Sequence, residues 1–405
     1  MNIWRNVSSF LTLRRLRAQA IVLAICLWSV CVVDFATPGL LDRAGNIKFQ
    51  DFIQFPISAR LIAQGRISSL YDTRVLNQEI RAIAGNTKTH LEFYNAPQIV
   101  LPFLALRRLS FLTQAGIWVS LSLLIYFQCV YLLQKTCSAL KPCPGLVALC
   151  AVAYPPLFHF FVRGQLSVLL LLCFTCSYLA FRARRDWLAG VALGCLVFKP
   201  QFLVAIPFVL LIAQAWKAFA GLAISATAQL TFTWLWFGRA LMRTYIVLLL
   251  QHASHPELGL LPDQMHSLRS FWVLLIPSTG AVWVLYSLSS VMTIAFAAAI
   301  WKSSSSLALR FSALTLAAVL VNPHLFIYDL LVLAPTFLLL VNETLTVGQS
   351  RDSSELSAFL YLSFLLPLFG PLAHWTHLQL SVIAFAALLW ILYGNSIRHD
   401  LRSQT

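Results

Sequence analysis

An all-α polytopic membrane protein is what this sequence predicts, and three observations carry the prediction. Of its 405 residues, 59% are hydrophobic and only 11% charged, against about 25% charged in an average soluble domain. Mean hydropathy is +0.78. The apolar residues come in runs of spanning length, with basic residues gathered in the short segments between them. A soluble chain this apolar could not cover its core with polar surface, so lipid must be part of its solvent. The runs fit about ten to twelve spanning helices in a single domain over residues 1–405.

The excess of 29 Lys+Arg over 14 Asp+Glu gives a net charge of +15. In a soluble protein that balance would raise nucleic-acid binding. Here the basic residues sit mostly in clusters between apolar runs, where they set topology. Membrane lipid is therefore the expected partner and nucleic acid is not. Most of the nine cysteines, Cys173 and Cys176 among them, lie inside apolar runs with no Cys/His ligand spacing. They read as small buried side chains.

The elements follow in order. Arg5, Arg14, Arg15 and Arg17 precede an apolar run over 18–33 that no small-x-small cleavage site follows convincingly, so it reads as an uncleaved first helix with a cytoplasmic N-terminus. Residues 37–110 form a long first extracytoplasmic loop, rich in charges to about Pro97. Within it Phe52, Phe55, Ala59, Leu61 and Ile62 approximate helical spacing, which predicts one or two interfacial helices. The apolar piece 99–106 is short for a span and lies at the interface or dips in partway. Clear spans then fall at about 111–133, 145–162, 165–181, 217–237, 280–301, 307–322, 325–341, 357–374 and 377–394.

Clusters at Lys135/Lys141, Arg182/Arg184/Arg185, Lys217, Lys302/Arg310 and Arg398/Arg402 mark cytoplasmic turns and leave the C-terminus inside. If Arg184 and Lys217 are both inside, residues 187–215 must go out and return. That stretch is short for two full spans, and Lys199-Pro200 stands at its middle, so a pair of short helices broken there satisfies the parity; one long kinked helix, which would not satisfy it, is the simpler alternative. The same parity collects the Asp51 segment, Arg163-Gly164-Gln165, Lys199-Pro200-Gln201 and Asn322-Pro323-His324 with Tyr328-Asp329 on the outer side. A second outer loop over 238–279, with His252, His255, Asp263 and His266, joins them. The protein is thus expected as a multi-pass protein of the plasma (inner) membrane whose chemistry faces outward.

Ionisable groups at a membrane edge are costly, which makes these the candidate site. Asp51, flanked by Phe49 and Phe52, suits a general base; its plain alternative is an N-cap ahead of a helix over 52–63. Lys199 interrupts an apolar stretch, so it snorkels, pairs with an acid or meets an anion. Arg163 could share that anion. His324 and Asp329 flank a helix start and read either as site residues or as a cap and a core hydrogen bond. Gln165 opens a helix after Gly164. Pro155-Pro156 marks a kink or a helix start. Neither HExxH nor DxD occurs, so no metal and no other cofactor is expected.

The order of several stretches resembles glycosyltransferase family 87, membrane enzymes of the GT-C class. They are Asp51-Phe52-Ile53-Gln54-Phe55-Pro56 with Leu70-Tyr71-Asp72, then Phe93-Tyr94-Asn95-Ala96-Pro97, Gly164-Gln165-Leu166-Ser167, Phe198-Lys199-Pro200-Gln201 and Asn322-Pro323-His324 running to Tyr328-Asp329. The resemblance implies a GT-C-like bundle and an inverting transfer outside the cytoplasmic leaflet. The donor would be a polyprenyl-phosphate sugar, with a mannose-like hexose or a pentose, and the acceptor a lipid-linked or cell-envelope glycan. It implies Asp51 as general base, Lys199 and His324 at the donor, and Gln165, Arg163, Asp329 and Tyr71 around the substrates. Asn95-Ala96-Pro97 stands where the family usually has Pro-Pro, and Phe55 where it often has Tyr, so the likeness speaks to the class and not to the sugar. A secondary transporter and a lipid-binding or flippase-like protein are the competing readings. A transporter would, however, be expected to show a repeat between its halves.

The parity argument is testable directly. Single cysteines replacing Gln201 and Arg184 in a cysteine-free protein should differ in labelling by an impermeant thiol reagent, Gln201→Cys reacting from outside and Arg184→Cys protected. Labelling of Arg184→Cys from outside reverses the orientation.

Overall fold

A computed structural model describes residues 11–254, 261–347 and 351–404 of the chain. Arg5 and His255, and the side chains of His252 and Arg402, lie outside the described residues. Among the described residues there is no sheet, only two isolated bridges, Leu41 with Ile47 and Met265 with Phe326. The chain is an all-α polytopic membrane protein, and its apolar runs set the helices.

The first helix, α1 (Leu13–Phe35), starts at a Thr12 cap whose hydroxyl accepts the Arg15 N–H. It packs by few of its residues on the bundle and leaves the rest to lipid. The long loop that follows carries α2 (Gln54–Ala63) and α3 (Thr73–Ala84). The expectation of interfacial helices needs correction for α2. Gln54, Phe55, Pro56, Ile57, Ser58, Ala59 and Leu61 are all buried, so it is a core helix wrapped by protein on every side. Of the two, α3 has the two-faced character of an interfacial helix, with Leu76 and Ile80 inward and Arg74, Gln78 and Arg81 exposed. Asp72 caps α3, accepting from the N–H groups of Arg74 and Val75. Residues Pro97–Leu106 form a 3₁₀ segment rather than a span.

Next come α4 (Phe111–Thr136), α5 (Pro144–Val152), α6 (Pro155–Arg163) and α7 (Ser167–Arg182). Helices α5 and α6 occupy one expected span but bend by 51° at the break. Pro155 and Pro156 cause it, since neither can donate to the preceding turn while both suit the first turn of a new helix.

The stretch between the basic turns is broken as the parity required. It runs as α8 (Asp186–Gly194) with a 3₁₀ turn Cys195–Phe198, an extended Lys199, a 3₁₀ turn Pro200–Leu203 and α9 (Ile206–Ile212). Its direction can be read from its packing on α10 (Trp216–Ser254). Gly190 lies against Ala218, and Gly194 against Leu222 and Ser225, so α8 and the start of α10 run the same way. The chain therefore reverses around Lys199 and returns through α9. The contact is a small-residue one: a Cβ on Gly190 would overlap Ala218 O, one on Gly221 would overlap Trp187 O, and one on Gly194 would lie 2.5 Å from Leu222 O.

The second outer loop also differs from expectation. Residues from Gly238 onward continue as the second half of α10, broken only at Gly238 itself, whose φ of 84° and ψ of 166° are open essentially to glycine alone. After it come α11 (Leu268–Leu275), α12 (Thr279–Lys302), α13 (Leu307–Leu320), α14 (Ala334–Val347), α15 (Arg351–Leu365), the short α16 (Ala373–Thr376) and α17 (Leu380–Gln404). Among the described residues seven helices are long and apolar enough to cross a membrane, eight with the bent pair as one span. Any further crossings, up to the ten to twelve expected, would fall to shorter apolar helices such as α7 and α13.

The glycine contact makes the fold testable. Gly190→Ala should cost about 1–3 kcal/mol, the usual cost of overpacking, and lower the thermal midpoint in detergent. Gly116→Ala, on α4 with nothing within 4 Å of the new methyl, should be neutral or raise it. Equal midpoints for the two variants would remove the close α8–α10 approach.

Candidate active site

The site is built from two turns pressed together. Helix α6 ends in a left-handed Gly164 (φ 67°), which turns the chain into Gln165 and α7. Against it lies the turn around Asp51, itself entered through Phe49 in the left-handed region (φ 56°). The Asp51 N–H donates to the Arg163 carbonyl at 3.0 Å, and the Phe52 N–H to the Phe49 carbonyl at 2.9 Å. A Cβ on Gly164 would stand 2.8 Å from that of Phe52 and 3.1 Å from that of Phe49. Glycine is thus required twice here, for its dihedral angles and for the approach.

Side chains complete the clamp. Phe52 is fully buried, stacked on Trp118 with ring centroids 6.2 Å apart and edge-on to Phe103 at 5.5 Å. Trp118 Nε1–H donates to the Gln165 carbonyl at 3.2 Å, and Gln54 Nε2–H to the Asp51 carbonyl at 2.6 Å. Asp51 is not a helix cap, because α2 starts three residues later behind Ile53, with no side-chain cap bond. Its carboxylate is instead held for the site. Gln165 Nε2–H donates to Oδ2 at 2.7 Å, and the Arg163 guanidinium stands 3.8 Å from Oδ1. Asp51 is only 6% exposed. Burial pushes its pKa above the usual carboxylate range, opposed by Arg163, the Gln165 hydrogen bond and Lys199.

A second ion pair lines the same cavity. Lys199, at the break between α8 and α9, donates to Asp329 Oδ1 at 2.6 Å, and Ser167 donates to the same oxygen at 2.6 Å. The Lys199 ammonium also stands 5.4 Å from the centre of the Tyr328 ring. Asp329 sits on a 3₁₀ segment, Ile327–Leu333, that follows the end of α13. His324 lies in the connection between them, its N–H bonded to Asn322 Oδ1 at 2.9 Å and its ring edge-on to Phe326.

All of these converge on one cavity of about 1030 Å³. Asp51, Arg163, Gln165, Lys199, His324 and Asp329 line it together, although they come from four separate regions of the chain. Tyr71 does not. Its hydroxyl donates to the Asn95 carbonyl at 3.0 Å and its ring stacks on Tyr245, so it braces the wall from behind.

Several lining groups were not singled out from sequence. His159 stands one turn before Arg163, and that i, i+4 spacing on one helix face was the signal that could have found it. His90 comes from the first loop, and His374 and Trp375 from α16. Asp263 and His266 of the second loop form part of the roof. His266 Nδ1 pairs with Ser381 Oγ at 2.7 Å, and its pKa is held down to about 3 by burial and by His159. Among the described residues no three His, Cys, Asp or Glu side chains gather as metal ligands.

Glycosyltransferase family 87 matches residues 93–327, more than half of the chain. The chain belongs to that family. The match takes in Arg163, Gln165, Lys199 and His324, while Asp51, Tyr71 and Asp329 fall outside it. No curated relative and no solved structure matches the chain. Family 87 makes this protein a membrane glycosyltransferase, which implies a sugar donor and an acceptor as its substrates.

The raised pKa of Asp51 has a consequence for stability. A folded-state pKa above the unfolded value stabilises below the ordinary carboxylate range, and that stabilisation is lost as pH rises through the raised pKa. Relative to Asp51→Asn, the wild type should therefore lose thermal stability as pH goes from about 4 to about 8. Melting curves of the two proteins across that range check it; a gap moving the other way means that Arg163 and Gln165 outweigh burial.

Proposed function

We propose that this glycosyltransferase takes its sugar from a polyprenyl-phosphate donor and transfers it, with inversion, to a lipid-linked or cell-envelope glycan on the outer side of the plasma membrane. The reading rests on one observation above all: the Asp51 carboxylate shares a cavity with Arg163, Lys199 and His324. An inverting transfer needs a base at the acceptor hydroxyl and positive charge at the departing phosphate.

In this reading the acceptor hydroxyl gives its proton to Asp51 as its oxygen bonds to the anomeric carbon. The bond from that carbon to the phosphate oxygen breaks, and the lipid phosphate leaves with the electron pair and one more negative charge. Gln165 occupies Oδ2, so Oδ1 is the oxygen turned to the acceptor. Arg163, Lys199 and His324 receive the phosphate. Asp329 acts through Lys199, holding the ammonium beside the cavity with Ser167 behind it. Lys199 keeps donor capacity for an anion, because an ammonium carries three N–H groups and Asp329 takes one. A hexose of the mannose type is the donor sugar favoured here, with a pentose as the alternative. No group outside the chain and its substrates is called on.

One assay tests the donor and the base together. Purified wild-type protein should turn over with polyprenyl-phosphate sugar and ignore GDP- and UDP-sugars; robust turnover with a nucleotide sugar alone overturns the donor. Asp51→Asn keeps the size of the side chain and its bond to Gln165 but loses the basic oxygen. It should lower turnover by about 10²–10⁴-fold with donor affinity nearly unchanged, whereas Asp42→Asn should be close to neutral. If Asp51→Asn keeps more than about a tenth of the wild-type rate, the base lies elsewhere.

A further inference from the structure

Helix α10 is too long for what it has been asked to do. The stretch Trp216–Gln251 has 36 residues, which at the α-helical rise measures roughly 54 Å, against about 30 Å of hydrocarbon in a bilayer. The part before the Gly238 break, roughly 33 Å, is already long enough to cross. It ends in Phe232, Trp234, Leu235 and Trp236, all exposed, the aromatic composition of a membrane boundary. Residues 239–251 must then lie beyond the hydrocarbon core or along its surface.

The two faces of that arm are sharply different. Leu241, Met242 and Tyr245 are buried, Tyr245 stacked on Tyr71 with centroids 5.8 Å apart. Leu249, on the same face, lines the cavity. The opposite face presents Arg239, Arg243, Ile246, Val247 and Leu250, spaced i, i+4, i+7, i+8 and i+11 within about 100° of arc. Ile246, Val247 and Leu250 are 50%, 44% and 63% exposed. Large aliphatics on one exposed stripe, led by two arginines one turn apart, are the pattern of a helix lying in the headgroup region.

We propose that residues 239–251 form an interfacial arm whose outer face docks on the bilayer surface, with Ile246, Val247 and Leu250 in the acyl boundary and Arg239 and Arg243 on the phosphates of anionic phospholipids. Two features select a lipid surface over a protein partner. The stripe begins three residues after the exposed aromatics that end the span, and arginines at its boundary end match phosphate in charge and hydrogen-bonding geometry. The arm then has lipid on one side and the active-site wall on the other, so bilayer composition reaches the cavity through Leu249 and the Tyr245–Tyr71–Asn95 contacts. This inference rests on the membrane reading of the fold and stands or falls independently of the donor and of Asp51.

The full chain in vesicles of phosphatidylcholine with phosphatidylglycerol provides the test. Nitroxide labels on single cysteines at Val247, at Leu124 in mid-α4 and at Gln78 on the polar face of α3 report collisions with oxygen and with a water-soluble nickel complex. Val247 should favour oxygen over nickel several-fold more than Gln78 does, and less than Leu124. A Val247 label as open to nickel as Gln78, or shielded from both reagents, overturns the proposal, the second result pointing to a protein partner. A second measurement needs no cysteine removal. Raising the phosphatidylglycerol fraction in nanodiscs should raise the thermal midpoint of the wild type by more than that of Arg239→Gln/Arg243→Gln, with Arg239→Lys/Arg243→Lys between them. An identical rise in wild type and the Gln variant sinks the arginine–phosphate contact.

Discussion

The Asp51 side of the candidate site hangs on the contact between Gly164 and the backbone around Asp51. The two turns meet so closely that no side chain fits between them, and the Asp51 N–H closes the contact on the Arg163 carbonyl. That one hydrogen bond brings a residue of the first loop to a helix end more than a hundred residues away. It also explains why Phe49 can hold a left-handed conformation, which costs an L-residue about 1–2 kcal/mol. Its ring is caught edge-on by Phe35 and Phe161, with centroids 5.1 and 5.9 Å away, and each such pair contributes about 0.5–1.5 kcal/mol beyond burial. Local strain is offset by packing, and the result is a carboxylate with one oxygen fixed by Gln165 and the other beside the Arg163 guanidinium.

Broken helices do the rest. Regular helices satisfy their own backbone and offer the bundle only side chains, whereas a break leaves backbone groups and short polar turns at depth, tolerable only where they line a cavity. The breaks at Gly164, Lys199 and Asn322 all open onto the same space. The small-residue contact between α8 and α10 lets the Lys199 hairpin return within a short stretch, because glycines at 190, 194 and 221 bring the two axes close. Two buried acids of the cavity wall, Asp51 and Asp329, each have a cation beside them. Lys199 is neutralised by Asp329, and Asp51 is partly offset by Arg163, so neither buried charge stands alone.

Much of this was legible in the residues alone. The apolar runs located most of the helices to within a few positions, though 217–237 runs on to Gln251 and 145–162 is bent in two, since lipid demands long apolar stretches and tolerates little else. Basic clusters supplied a parity that required a reversal at Lys199-Pro200, and the chain does reverse there. Asp51, Arg163, Gln165, Lys199, His324 and Asp329 stood out because an ionisable or amide group at a membrane edge needs a reason. Three readings needed the fold for their correction: the N-cap role of Asp51, the interfacial character of α2 and the loop beginning at Gly238. In each, local pattern was outweighed by packing, as α2 is enclosed by protein and Gly238 breaks a helix without ending it.

What the sequence by itself determined is therefore the solvent, the helices and the short polar segments between them, because each follows from the cost of moving a residue type into hydrocarbon. It did not determine which polar segments would meet. Gln165 reaches Asp51 across 114 positions and Lys199 reaches Asp329 across 130. Such pairs leave no periodic trace in a chain. They exist because buried charges must find partners and buried turns must find room, and only the tertiary structure decides which ones do.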